Sequence, residues 1–321
     1  MCHKIRKYFD DTIVPAITEK FPKVADQMSL IVLGSQGLGT ADEFSDLEAA
    51  VYLDDPLWRE HGGHLQLLLN ERLRATCPCR SSGSVISVCP HSWLLDGHAH
   101  DFAEGKDTLP WEQVSIEDLF TVQENLIVYD PKGFLHQLRQ ATAPDQCPQW
   151  LWQKRLILTL KKLVYEDATE LDMTVRRNRR TEAYILLGEV LRDLLHVGFL
   201  MNGRYYPWRT HLRWAFGRLP ESATNVIGYL DAAVTASEWQ EKLRAVKHAI
   251  ASYKEHIARE RIIPQIDIMS SDLSEELVWA ERLKAWENPN WRDWIERCTE
   301  KAAKAGRLAR DFWVWSLWGW K

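Results

Sequence analysis

The sequence predicts an α+β fold: a mixed sheet with helices over residues 1–145, followed by an all-α helical domain over residues 146–321. Three observations lead to it. Short apolar runs closed by glycine or turn residues occur in the first third of the chain. A proline-flanked stretch, Pro144 to Pro148, interrupts the pattern, and beyond it apolar residues recur at helical spacing.

Taken in order, Ile5, Tyr8, Phe9, Ile13, Val14, Ile17, Phe21 and Val24 have helical spacing, which predicts a helix from Ile5 to Met28. Ser29 to Leu33 reads as a buried strand ended by Gly34, and after a glycine-rich turn Leu47 to Leu53 reads as a second strand. His64 to Ala75 is helical by pattern. Ser84 to Cys89 and His98 to Phe102 read as further strands, with Asp96-Gly97 as a hairpin turn between them. Ser115 to Asp118 resembles a capping box that opens a helix through Asn125. Past the boundary, helices are expected at Trp150–Glu170, Thr181–Leu200, Thr210–Phe216, Ala223–Ala232, Glu238–Arg261, Leu273–Trp286 and Trp291–Trp315, with tryptophan rings as filler between them.

Composition narrows the function classes. With 45% hydrophobic and 26% charged residues the chain has material for a core, and a formal charge of -5 gives no footprint for general nucleic-acid binding. No run approaches the ~20 apolar residues of a membrane-spanning helix. The tail Trp313 to Trp320 is short and aromatic, and the reading is that it packs into its own protein or a homodimer partner. The six cysteines form no CxxC pair, and the charged start shows no secretory signal, so reduced thiols and a cytoplasmic location are expected.

The informative segment runs from Leu30 to Leu53. Gly34 and Ser35 at a strand end permit a sharp turn with free backbone N–H groups, which suit phosphate. Asp46 and Glu48, two apart on a strand, leave by one face, while Leu47, Ala49, Val51 and Leu53 share the other. Paired carboxylates repel unless a cation lies between them, and hard oxygen donors favour Mg²⁺ completed by water and substrate phosphates. A phosphate-binding turn beside such a pair is the minimum equipment for nucleotide transfer. A dinucleotide-binding turn is the competing reading, with Gly34, Gly37, Gly39 and a later Asp54. The glycine spacing is wrong for it, and the seven residues Thr40 to Asp46 are too few for a crossover helix. A Walker loop also fails, since no Gly-Lys-Ser/Thr follows.

Gly34-Ser35, followed by Gly39-Thr40-Ala41-Asp42-Glu43-Phe44-Ser45-Asp46-Leu47-Glu48, resembles the signature of the DNA polymerase β-like nucleotidyltransferase superfamily. The form is similar to bacterial aminoglycoside and lincosamide nucleotidyltransferases, and to a poorly characterised branch with a helical C-terminal domain. Leu200 to Trp208 is similar to that branch's Leu-Asn-x-x-Tyr-x-Pro stretch. The resemblance is specific over Leu30 to Phe102 and loose over the helical half. It implies a nucleotidyltransferase-type mixed sheet and a third metal-binding carboxylate on a neighbouring strand. That role falls on Asp101, with Glu112 as the fallback; His100 stands where an apolar neighbour is expected, and Glu48 where Asp is commoner.

The resemblance further implies that Mg²⁺ on Asp46, Glu48 and Asp101 activates an acceptor hydroxyl for in-line attack on the α-phosphorus of ATP or another NTP. Gly34, Ser35, Thr40, Ser45 and Arg209 are the expected nucleotide-binding residues, and Glu182 the expected general base, with Glu189 seven residues on. The partners expected are a nucleoside triphosphate and an unidentified hydroxyl acceptor, a small molecule of aminoglycoside-like type. A protein acceptor, an antitoxin role beside a ribonuclease toxin, and a non-catalytic nucleotide-binding module are the alternatives. Arg176 to Arg180 reads as a solvated loop. Arg204, Tyr205, Tyr206 and Trp208 divide between ring stacking and core packing, and His91, His98 and His100 lack the ligand spacing of zinc.

Overall fold

The computed structural model describes residues 2–79, 83–106, 110–263 and 268–269; the helices expected over Leu273–Trp286 and Trp291–Trp315 and the tryptophan-rich tail lie outside them. The fold is α+β, and among the described residues every strand belongs to one mixed sheet. The chain forms two compact units, one from the chain up to Trp152 with Gly198–Ile227, the other from Gln153–Val197 with the chain from Gly228. The proline-flanked stretch ends just before the first crossing. No helix among the described residues is long and apolar enough to cross a membrane.

The first unit opens with helix α1 (Cys2–Tyr8), a π-helical turn (Phe9–Ile13) and α2 (Val14–Lys20). Ile5, Phe9, Ile13 and Ile17 are all buried at successive steps of four residues. On a 3.6-residue helix such steps drift around the axis, and the wider π turn takes up the drift and keeps the four on one face. The chain breaks at Phe21, whose φ of -136° is not helical, so the expected single helix to Met28 ends early and a four-residue turn, Pro22–Ala25, follows.

Strands β1 (Ser29–Leu33), β2 (Glu48–Leu53), β3 (Val85–Pro90) and β4 (Leu126–Tyr129) are ordered β3-β2-β1-β4. β1 is antiparallel to both β2 and β4, and β2 is parallel to β3. Because β1 and β2 are antiparallel neighbours, the glycine turn between them is no βαβ crossover, which removes the dinucleotide reading. Leu47, Ala49, Val51 and Leu53 enter the core with Leu30, Val32, Ile17 and Leu65, as the alternation predicts. Each fully buried Leu, Ile or Val side chain there contributes about 2 kcal/mol.

Helix α4 (Asp55–Thr76) is capped by Asp54, whose carboxylate accepts from Leu57 N at 3.0 Å. It closes the free edge of β3. Gln66 Nε2 donates to Ile86 O at 2.7 Å, its Oε1 accepts from Val88 N at 2.8 Å, and Trp58 Nε1 donates to Val88 O at 3.0 Å. An edge satisfied in this way is no template for another strand.

Two expectations fail after β3. His98–Phe102 is not a strand, and Asp96-Gly97 is not a hairpin turn. Leu95, Asp96 and Gly97 have φ of 52°, 54° and 94°, and this left-handed run leads the chain into the short helix α5 (Ala99–Ala103). Ala99 and Phe102, three apart, are both buried. Helix α6 (Ile116–Glu124) begins at the expected Ser115, whose hydroxyl accepts from Asp118 N at 3.1 Å. After β4 comes α7 (Phe134–Ala141).

The second unit is helical. It draws on α8 (Gln149–Lys161), a π turn (Lys162–Asp167), α9 (Ala168–Arg176), α10 (Arg180–Met201), α12 (Ile227–Thr235) and α13 (Trp239–Glu260), while α11 (Arg209–Phe216) belongs to the first unit. Its buried charges are paired. Lys162 Nζ donates to Asp167 and Asp193 at 2.7 Å each, and Arg192 Nε donates to Asp193 at 3.3 Å. Buried Lys242 donates to Ala233 O and Val234 O, the orphan carbonyls at the end of α12.

Candidate functional site

The site grows from the end of β1. Gly34 has φ +58°, a left-handed turn that leads into a five-residue helix, α3 (Gly34–Leu38 in the chain order), ended by Gly39 at φ +74°. The glycine-rich turn is thus a single helical turn bounded by two left-handed glycines. Gly37 is required for another reason: a Cβ there would stand 2.1 Å from Val32 O and 2.5 Å from Asn125 Oδ1. Thr40 closes the turn, donating N–H to Ser35 O at 2.8 Å and its hydroxyl to the same oxygen at 3.4 Å.

A second tight turn follows. Asp42 Oδ1 accepts from Phe44 N at 3.0 Å and from Ser45 Oγ at 2.9 Å, and Ser45 Oγ accepts from Asp42 N at 3.0 Å. These bonds hold the fully exposed Asp42 carboxyl below its usual range, the Ser45 hydroxyl first and the Phe44 amide second. Leu47 N then donates to Ser84 Oγ at 3.0 Å and Leu47 O accepts from Val85 N at 2.7 Å, which fixes the chain between the two acids.

Asp46 is half-buried and Glu48 exposed, with Leu47 between them facing the core. Glu48 pairs in register with Leu33, the residue before Gly34. Its carboxylate therefore lies over Gly34, with Oε2 2.6 Å from where a Cβ on that residue would stand. The sheet brings the glycine turn and the second acid together.

It does not bring Asp101. That residue lies on α5 rather than a strand, and its carboxylate accepts from Lys106 and bonds His98 Nδ1 at 3.0 Å. The Lys106 bond, then the His98 bond, holds its carboxyl low. The β3 residues in register with Glu48, Ala50 and Tyr52 are Val85, Ser87 and Cys89, so the neighbouring strand offers no carboxylate. Among the described residues no three of His, Cys, Asp or Glu group as a metal site, so Asp46, Glu48 and Asp101 do not form the expected trio. Two carboxylates with hard oxygens still fit Mg²⁺ that arrives with nucleotide phosphates, since that ion commonly takes one or two protein carboxylates.

The remaining expected residues fall as follows. The Thr40 and Ser45 hydroxyls are engaged within their turns. Arg209 is exposed at the start of α11. Glu182 is exposed in the first turn of α10, where a negative charge suits the helix dipole. Glu189 instead bonds Arg192 and stands 3.7 Å from Lys162. Glu112 is exposed before α6. Tyr205 is core, its hydroxyl donating to Thr142 O at 3.0 Å. His91 stacks on Phe134 at 3.8 Å with His100 at 5.2 Å, an aromatic cluster.

Sequence reasoning missed what stands beside Asp46. Gln36, buried in the five-residue helix, donates Nε2 to Cys79 Sγ at 3.5 Å. Burial pushes the Cys79 thiol up to about 11, with Cys77 and then the Asp46 charge adding to it. The Cys77-Pro78-Cys79 loop follows α4, some thirty residues past Asp46, and no local pattern announces that approach.

Residues 111–215, about a third of the chain, match a family described as a domain of unknown function, DUF4037; the match begins after the two acids. No curated protein matches. Among solved structures, the chain is similar to a nucleotidyltransferase-like protein from Exiguobacterium sibiricum 255-15, at 13% identity and a TM-score of 0.38, over 76% of this chain and 78% of that one.

Proposed function

We propose that this chain is a Mg²⁺-dependent nucleotidyltransferase that transfers AMP from ATP to a hydroxyl of a small molecule. The single observation that carries the reading is the contact of the Glu48 carboxylate with Gly34, two residues from Asp46. A turn suited to phosphate and a pair of hard oxygen donors then occupy one end of β1 and β2. Asp46 and Glu48 would hold the ion, which supplies neutralising charge at the reacting phosphate. The N–H groups opening the glycine turn and the Ser35 hydroxyl would donate to the phosphates that leave as pyrophosphate. Asp46 would keep its carboxylate aimed by the bonds of Leu47 to Ser84 and Val85. The thiols Cys77, Cys79 and Cys89, none of them in a disulfide, accord with a reducing, cytoplasmic setting.

The test is incubation of the full chain with α-labelled ATP, Mg²⁺ and either a panel of hydroxyl-bearing antibiotics or cell lysate. Label is expected in a small-molecule product, with pyrophosphate released. Label in protein bands would replace the acceptor class. Transfer that persists unchanged in Asp46→Asn would end the proposal.

A further inference from the structure

Phe44 is the most exposed large hydrophobic side chain among the described residues, at 81%. A solitary exposed ring is ordinary on a protein surface. This one differs in how it is held and where. The turn that carries it is closed by the three hydrogen bonds of Asp42 and Ser45, so the ring is presented outward instead of collapsing onto the sheet. Two residues later the chain reaches Asp46, and Leu47 is anchored to Ser84 and Val85. Two residues of extended chain span at most ~7 Å. Phe44 therefore lies within one nucleoside's reach of the carboxylates, on the only stretch of chain that joins the glycine turn to them.

Resting on the functional reading above, we propose that Phe44 is the stacking platform for the base of the bound nucleotide, and that it selects by ring area rather than by base identity. A nucleotide whose phosphates lie at Asp46, Glu48 and Gly34 places its base one ribose away, and a flat apolar ring in water offers the base a face. Stacking of this kind tolerates every base, because each has a π-face. Asp42 N and Oδ1, Phe44 N and Ser45 Oγ are spent on one another, so these atoms do not read a base edge. Affinity should then follow stacking area, ATP and GTP alike and both above CTP.

The experiment is equilibrium dialysis of the full chain at saturating Mg²⁺ with ATP, CTP and inorganic tripolyphosphate, for wild type, Phe44→Ala, Phe44→Trp and Asp46→Asn. Phe44→Ala should lose roughly tenfold in ATP affinity, less for CTP and nothing for tripolyphosphate, while Phe44→Trp binds ATP at least as tightly as wild type. Matching thermal melts confirm that the variants fold. Unchanged ATP binding in Phe44→Ala, or an equal loss for tripolyphosphate, overturns the assignment. Wild type that binds no ATP overturns the functional reading with it. Binding lost in Asp46→Asn but untouched in Phe44→Ala overturns the role of Phe44 alone.

Discussion

Glu48 and Gly34 occupy each other's space: the carboxylate stands where a side chain at residue 34 would have to go, 2.6 Å from a built Cβ. The relationship is forced by register, because Glu48 pairs with Leu33 at the end of β1. Gly34→Ala meets two obstacles, the positive φ and the carboxylate. The left-handed conformation costs about 1–2 kcal/mol for an alanine, and the methyl group must also push Glu48 aside. We expect that loss in urea unfolding together with a drop of at least tenfold in transfer activity. A variant that unfolds early yet transfers at the wild-type rate would separate Glu48 from the chemistry.

The other glycines divide by what surrounds them. Gly37→Ala places a methyl group against backbone oxygen and should cost about 3 kcal/mol by overpacking. Gly63, inside α4, has nothing within 4 Å of its Cβ position. Gly63→Ala should therefore stabilise by about 0.5–1 kcal/mol through helix propensity. Denaturant midpoints shifted in opposite directions are the expected outcome.

Asp54 is a helix cap. Its carboxylate is committed to Leu57 N, so Asp54→Ala should cost about 1 kcal/mol of stability and leave nucleotide affinity where it was. A variant of normal stability with weakened ATP binding would show that the Asp54 carboxylate serves the nucleotide rather than the helix.

His91 makes the fold acid-sensitive. Among the described residues neither of its buried ring nitrogens has a hydrogen-bond partner, and burial first, then His100, lowers its pKa to about 4. The unfolded chain, with an ordinary histidine near 6.5, takes up the proton first. The stability His91 permits is thus full above pH ~6.5 and is lost as pH falls toward about 4. Within that window the slope is about 1.4 kcal/mol per pH unit for this one group. His91→Phe keeps the stack on Phe134 and removes the titration, so its urea midpoint should fall less between pH 6.5 and 4.5 than that of wild type. Parallel losses would show that His91 is hydrated in solution.

The elements that carry the candidate site were legible where their signal is local. The alternation from Leu47 to Leu53 fixed which face Glu48 leaves by, and Ser115 marked its helix start. What was illegible depends on distance or on short elements. β4 has four residues, Leu126–Tyr129, too few to show a period, and exists because it pairs with β1. Asp96-Gly97 is a sound hairpin signal by composition, yet the left-handed run through Leu95 turned the chain into a helix. Ala99 and Phe102, three apart and apolar, were the sign that helical period had replaced alternation. Asp101 followed its helix away from the strand that the resemblance assigned to it.

The most direct test of the account is the Mg²⁺ dependence of ATP affinity, measured by titration calorimetry on wild type and on Glu48→Gln. Two carboxylates that share an ion with the nucleotide predict that Mg²⁺ strengthens ATP binding at least tenfold in wild type and adds nothing in Glu48→Gln. An equal gain from Mg²⁺ in both proteins would contradict it.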